Sequence, residues 1–109
     1  MSKQTETKGL AVAGPSQEQI EAWKRQHGDV FKLDVEGGYT CYLKKPTRRI
    51  YSMALSQGQK SPMRFNEIII NNCWIDGDEQ IREDDDLFYA ACGQIDVLIP
   101  EVAADIKKL

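Results

Sequence analysis

The stretch DVFKLDVEGGYTCYLKK, residues 29–45, decides the fold. Phe31, Leu33 and Val35 alternate with Lys32 and Asp34, so an extended chain here has one apolar and one charged side. Tyr39, Cys41 and Leu43 repeat the period on the second half, and Pro46 ends it. Between the halves, Glu36-Gly37-Gly38 supplies the positive φ angles that a tight turn needs. The pattern predicts an antiparallel β-hairpin with one buried face. A lone hairpin is marginally stable in water, so its apolar face needs cover from the rest of the chain.

That cover reads as helical. Upstream, Ser16 with Gln19 three residues on has the form of a capping box, Ile20 and Trp23 follow at helical spacing, and Gly28 is a natural stop. Downstream, Thr47 caps a segment carrying Ile50, Met53, Ala54 and Leu55 that stops at Gly58. Ser61-Pro62 opens a helix with Phe65, Ile68, Ile69 and Cys73 on its stripe, which Trp74 and Ile75 close before Asp76-Gly77-Asp78 turns the chain. Asp84 or Asp85 opens a last long helix with Leu87, Phe88, Ala91, Ile95, Leu98 and Ile99 inward. Pro100 either kinks that helix or starts a final one with Val102, Ala103, Ile106 and Leu109. The expected fold class is α+β, one antiparallel β-hairpin packed against four to five α-helices. Residues 1–15 read as a flexible N-terminal tail, in which Leu10-Ala11-Val12 is suited to docking, and residues 16–109 as a single α+β domain.

Composition narrows the function classes. With 109 residues there is room for one domain. Apolar residues at 41% and a net charge of −3 describe a globular chain rather than a disordered one. A pI near 5.1 gives no general attraction to phosphate, which disfavours nucleic acid as a partner. No apolar run approaches the twenty residues of a membrane span, and Met1 to Pro15 lacks the form of a secretory signal. Cys41, Cys73 and Cys92 are odd in number with no C-x-x-C pair, which fits free thiols in a reducing compartment. A cytoplasmic protein without membrane attachment is expected.

The residues that carry chemistry point to surfaces, not to a catalytic centre. His27 is the single histidine and sits at an expected helix end, where it complements the dipole. Carboxylates crowd residues 76–86, but Asp76-Gly77-Asp78 misplaces the glycine of a calcium loop, and Asp84, Asp85 and Asp86 suit a helix start. No metal, cofactor or catalytic residue is expected. Lys44, Lys45, Arg48 and Arg49 form a basic cluster across the strand-to-helix junction, without the aromatic ladder of a single-strand binder. Pairing with the acidic stretch, within one molecule or between copies, is its most economical use. Trp23 is either a core anchor or the centre of a partner surface. The candidate partner-binding residues are therefore Trp23, Lys44, Lys45, Arg48, Arg49, Asp84, Asp85 and Asp86.

The run FKLDVEGGYTCYLKKPTRRIYSMAL, followed by a helix of pattern P-x-x-x-N-E-I-I-I-N-N-C-W, resembles the small phage tail assembly chaperones. The matching pieces are Val30 to Pro46, Asn66 to Trp74, Asp76 to Asp86 and Leu87 to Leu109, so the resemblance covers about residues 17–109. It implies a non-enzymatic phage or prophage protein, working in the host cytoplasm, that coats the tape-measure protein until tail-tube subunits polymerise around it. The implied partner is the tape-measure or tail-tube protein, with a second copy of the chain as a further candidate. The family has no catalytic set to carry over. The rival expectations are a structural virion component of the head–tail connector type and a small nucleic-acid-binding regulator that would use Lys44, Lys45, Arg48 and Arg49.

Overall fold

The hairpin forms as the alternation requires. In a computed structural model that describes residues 14–99 and 102–109, β1 (Val30–Val35) pairs with β2 (Tyr39–Lys44) antiparallel, from Val30 opposite Lys44 to Val35 opposite Tyr39. Gly37 and Gly38 make the turn at φ 104° and 90°. Residues 1–13 of the expected tail, with Leu10-Ala11-Val12, lie outside the described residues, as does Pro100.

Five α-helices accompany the sheet among the described residues: α1 (Gln17–His27), α2 (Arg48–Gly58), α3 (Pro62–Cys73), α4 (Gln80–Glu83) and α5 (Asp85–Cys92). The class is α+β. Ser16 Oγ accepts from the Gln19 N–H at 3.0 Å, Thr47 Oγ1 from Ile50 at 3.2 Å, and the Asp84 carboxylate from Leu87 at 3.1 Å, each satisfying an orphan amide of a first turn. Ser61 has the extended backbone of a cap, but its side chain makes no capping bond, and Pro62 alone marks that start.

Two expectations are corrected. Trp74 and Ile75 do not close α3. They begin a third strand, β3 (Trp74–Gly77), antiparallel to β2 in the order β1-β2-β3. Leu43 faces Trp74 and Tyr42 faces Asp76, so Ile75 is the extra residue of a bulge. Gly77 lies opposite Cys41 at φ 141°, where any Cβ would overlap the Cys41 backbone, so the strand requires glycine there. Asp78 extends the pairing: its N–H donates to Thr40 O at 2.9 Å and its carboxylate accepts from Thr40 N–H at 2.9 Å. A glycine that reads as a turn in sequence is thus a close-approach residue in a sheet.

The expected long last helix also stops early. It ends at Cys92, before Gly93, and continues as a 3₁₀ turn (Ile95–Leu98). Ile95 and Leu98, three residues apart, are both buried, a spacing that a three-residue turn satisfies as well as an α-helix does. Residues 102–109 have no regular structure, so no final helix forms over Val102, Ala103, Ile106 and Leu109.

The core lies on one side of the sheet. Cys41 and Leu43 of β2 and Val35 of β1 meet Ile50 and Ala54 of α2, Ile68, Ile69, Ile70 and Cys73 of α3, Ile81 of α4, and Ala91, Ile95 and Leu98. Three consecutive buried isoleucines mean that α3 is covered on more than one side. It packs against α2, β2 and the 3₁₀ turn. Each fully buried isoleucine contributes about 1.5–3 kcal/mol.

Candidate functional site

Strand alternation sends Thr40, Tyr42 and Lys44 away from this core, and α1 lies on that opposite side. Trp23 is 8% exposed yet stands outside the core cluster. Its ring meets that of Tyr42 at 5.3 Å between centroids, tilted by 44°. Trp23 is therefore an anchor, but of a separate aromatic contact that clips α1 onto the outer sheet face.

Beside this contact is a cleft of about 690 Å³, the scale of a ligand pocket, whose walls include Trp23 and Gln19 of α1, Lys32, Thr40 and Tyr42 of the hairpin, and Ile75 and Asp76 of β3. Gly14 and Pro15 border it where the chain enters α1. Trp23, Tyr42 and Ile75 give its lining an aromatic and aliphatic part. Around them Lys32 supplies a cation and Asp76 and Asp78 carboxylates: Asp76 accepts from the Gly77 N–H at 2.8 Å, and Asp78 accepts from the Thr40 N–H at 2.9 Å across the sheet. Such a surface is suited to an apolar side chain flanked by main-chain polar groups. Of these residues, sequence reasoning singled out only Trp23. The signal it passed over is Tyr42, a large aromatic on the outward phase of a strand, which calls for cover on that face, and β3, which brings Ile75 there.

The other sequence-derived candidates lie apart from the cleft. Lys44, Lys45, Arg48 and Arg49 run from the end of β2 into the first turn of α2, and Arg48 and Arg49 are exposed. Lys45 pairs with Asp29 at 3.6 Å across largely exposed side chains, a contact worth about 0–1 kcal/mol. Among the described residues, no ion pair joins Arg48 or Arg49 to Asp84, Asp85 or Asp86. Asp84 serves as the α5 cap, and Asp85 and Asp86 stand in its first turn, where they complement the helix dipole. Arg48 and Arg49 instead border a shallow patch on α2 with Ser52, Met53 and Ser56.

The remaining candidates are structural. His27 is half-buried in the last turn of α1 beside Lys24 and Arg25. Burial pushes the Cys41 thiol up to about 12, with Arg82 opposing and Asp78 and Asp34 adding to the shift. It pushes Cys73 to about 11, against the pull of Lys44. Cys92 is raised as well, by burial first, with an Asn66 hydrogen bond opposing and Glu67 adding. None is an activated nucleophile. Among the described residues no polar or charged side chain is buried, and no three His, Cys, Asp or Glu residues gather as a metal site. No helix among them is long and apolar enough to cross a membrane.

Arg82 has a role that composition hides. Its guanidinium lies 4.0 Å from the Trp74 ring centroid, bonds Glu79, and reaches Asn71 at 3.5 Å. It ties α4 to the junction of α3 and β3.

The chain matches no protein-family model, no curated protein and no solved structure.

Proposed function

We propose that this chain is a non-enzymatic assembly chaperone or scaffold of phage tail morphogenesis that holds an apolar segment of the tape-measure protein in the cleft between α1 and the outer sheet face. The observation that carries the reading is the aromatic pair in the lining of that cleft, Trp23 on Tyr42, set outside the core. A chaperone of this kind needs a site that accepts apolar residues reversibly, and a cleft closed by one eleven-residue helix can loosen without unfolding the core. The resemblance of residues 17–109 to the tail assembly chaperones supplies the partner.

Co-expression tests this. Soluble yield of the tape-measure protein should rise with this chain and fall back with Trp23→Ala, Tyr42→Ala or both. If the tape measure stays equally soluble without this chain, the proposal fails.

A further inference from the structure

Residues 102–109, VAADIKKL, are described, have no regular structure and pack on nothing: Val102, Ile106 and Leu109 are 86%, 95% and 114% exposed. Wound as an α-helix, these three side chains fall within a sector of about 60°, with Asp105 at its edge. An isolated helix this short is marginal in water, so the stripe forms only against a surface. Folded as a helix, the segment would present Val102, Ile106 and Leu109 as one apolar stripe.

The shallow face of α2 has the complementary form. Arg48 and Arg49 stand at its start, Met53 is 42% exposed, and Ser52 and Ser56 leave room one turn apart. From Arg48 to Ser56 the face runs about 12 Å, the length of eight helical residues. Charge order sets the direction. Along α2 the arginines come first and no basic residue stands in the last turn. Along the segment Asp105 comes before Lys107 and Lys108, so a parallel alignment brings the carboxylate toward the arginines and carries the lysines away. Asp105 has only a weak local contact, 3.9 Å to Lys107 with both side chains over 75% exposed, which leaves it available.

The geometry points to reciprocal exchange of this segment between two copies of the chain: residues 102–109 of each fold as a helix onto the Arg48, Arg49 and Met53 face of α2 in the other. A flexible methionine fills an irregular apolar contact well, and arginine recognises a carboxylate with two bonds. Exchange of an identical element is a low-cost route to a closed two-fold dimer. This inference does not rest on the proposed function, since the cleft and the exchanged segment share no residue.

Sedimentation velocity on the full chain over a concentration series tests it. The full chain should reach a dimer, a chain ending at Ile99 should stay monomeric with unchanged core stability, and Arg48→Glu with Arg49→Glu should weaken association by about tenfold or more. Adding Asp105→Lys to the Arg48→Glu, Arg49→Glu chain should recover part of the loss, which a merely damaged fold would not do. A full chain that is monomeric throughout overturns the inference, as does a dimer that survives removal of residues 100–109. A monomer whose C-terminal amides resist hydrogen exchange assigns the segment to its own α2 and equally overturns the exchange.

Discussion

The two faces of strand β2 belong to different physical regimes. On the inner face, Cys41 and Leu43 lie under α3 and α4, which pack against β2, and are almost wholly shielded from water. On the outer face, Thr40 and Tyr42 are half-buried, and Trp23 of a single helix gives Tyr42 its ring contact. Six consecutive residues thus serve a core that several elements over-determine and a cleft that one element closes. Several elements close the inner face and α1 alone closes the outer one, so under the proposed function the reversible capture site belongs on the outer face.

The contrast breaks most visibly through the core. Ile69 is fully buried in α3, and Ile69→Ala should cost about 2–5 kcal/mol, read as a drop in the urea midpoint with an unchanged slope. A loss under ~1 kcal/mol would mean that the inner face is not the stabilising one. Gly77→Ala should come next. The backbone conformation alone costs about 1–3 kcal/mol, and the added Cβ must push β3 off the Cys41 backbone. Because β3 also walls the cleft, this variant should lose partner binding along with stability.

Trp23→Ala should behave differently from both. Its effect on global unfolding should stay near ~1–2 kcal/mol, while amide protection collapses across residues 17–27 and persists in α3. Equal loss of protection in α1 and α3 would merge the two regimes into one cooperative unit. Under the proposed function, the same variant should abolish tape-measure solubilisation in a chain that is still folded.

What the residues disclosed in advance follows the same division. The hairpin, its turn and the starts of α1, α2 and α5 were legible, because alternation, paired glycines and capping side chains are local signals that the structure satisfies with local bonds. Strand β3 was not, because Trp74-Ile75-Asp76-Gly77 is too short to show a period, and its pairing is decided 36 residues away by the fit of Gly77 against Cys41. The end of the last helix is not legible either, because an apolar spacing of three serves an α-helix and a 3₁₀ turn alike, and Gly93 is the local mark of the stop. Of the candidate site, Trp23 was visible as an aromatic on a sparse helix. The cleft it borders was not, since it depends on β3. The basic cluster and the acidic stretch were seen as charges, but their suggested pairing within one molecule does not join Arg48 or Arg49 to Asp84, Asp85 or Asp86.

Smaller effects sharpen the comparison at the helix starts. Thr47→Ala and Asp84→Ala each remove one capping bond and should cost about 1 kcal/mol by thermal or urea unfolding. Ser16→Ala removes the same kind of bond from α1, yet should fray that helix locally and leave the global midpoint nearly unmoved. A global loss at Ser16 equal to that at Thr47 would place α1 in the core's cooperative unit.

The thiols report on the same boundary with almost no change in stability near neutral pH. Cys41 belongs to the inner face with its thiol pushed to about 12, whereas Cys92 is half-buried and raised by less burial. At pH 8 the Cys41 thiolate is roughly one part in ten thousand, so alkylation of the folded protein should mark Cys92 first and reach Cys41 and Cys73 only through unfolding. The sign at alkaline pH follows from linkage. The folded state keeps protons on Cys41 and Cys73 that the unfolded chain releases near 9, so their contribution is intact below pH 9 and declines from there toward about 12. Cys41→Ala should flatten that alkaline decline relative to the parent chain, and a slope unchanged by the substitution would remove the thiol from the account. Labelling of Cys41 as fast as Cys92 at pH 8 would show that the inner face opens as readily as the outer one, which would undo the division between them.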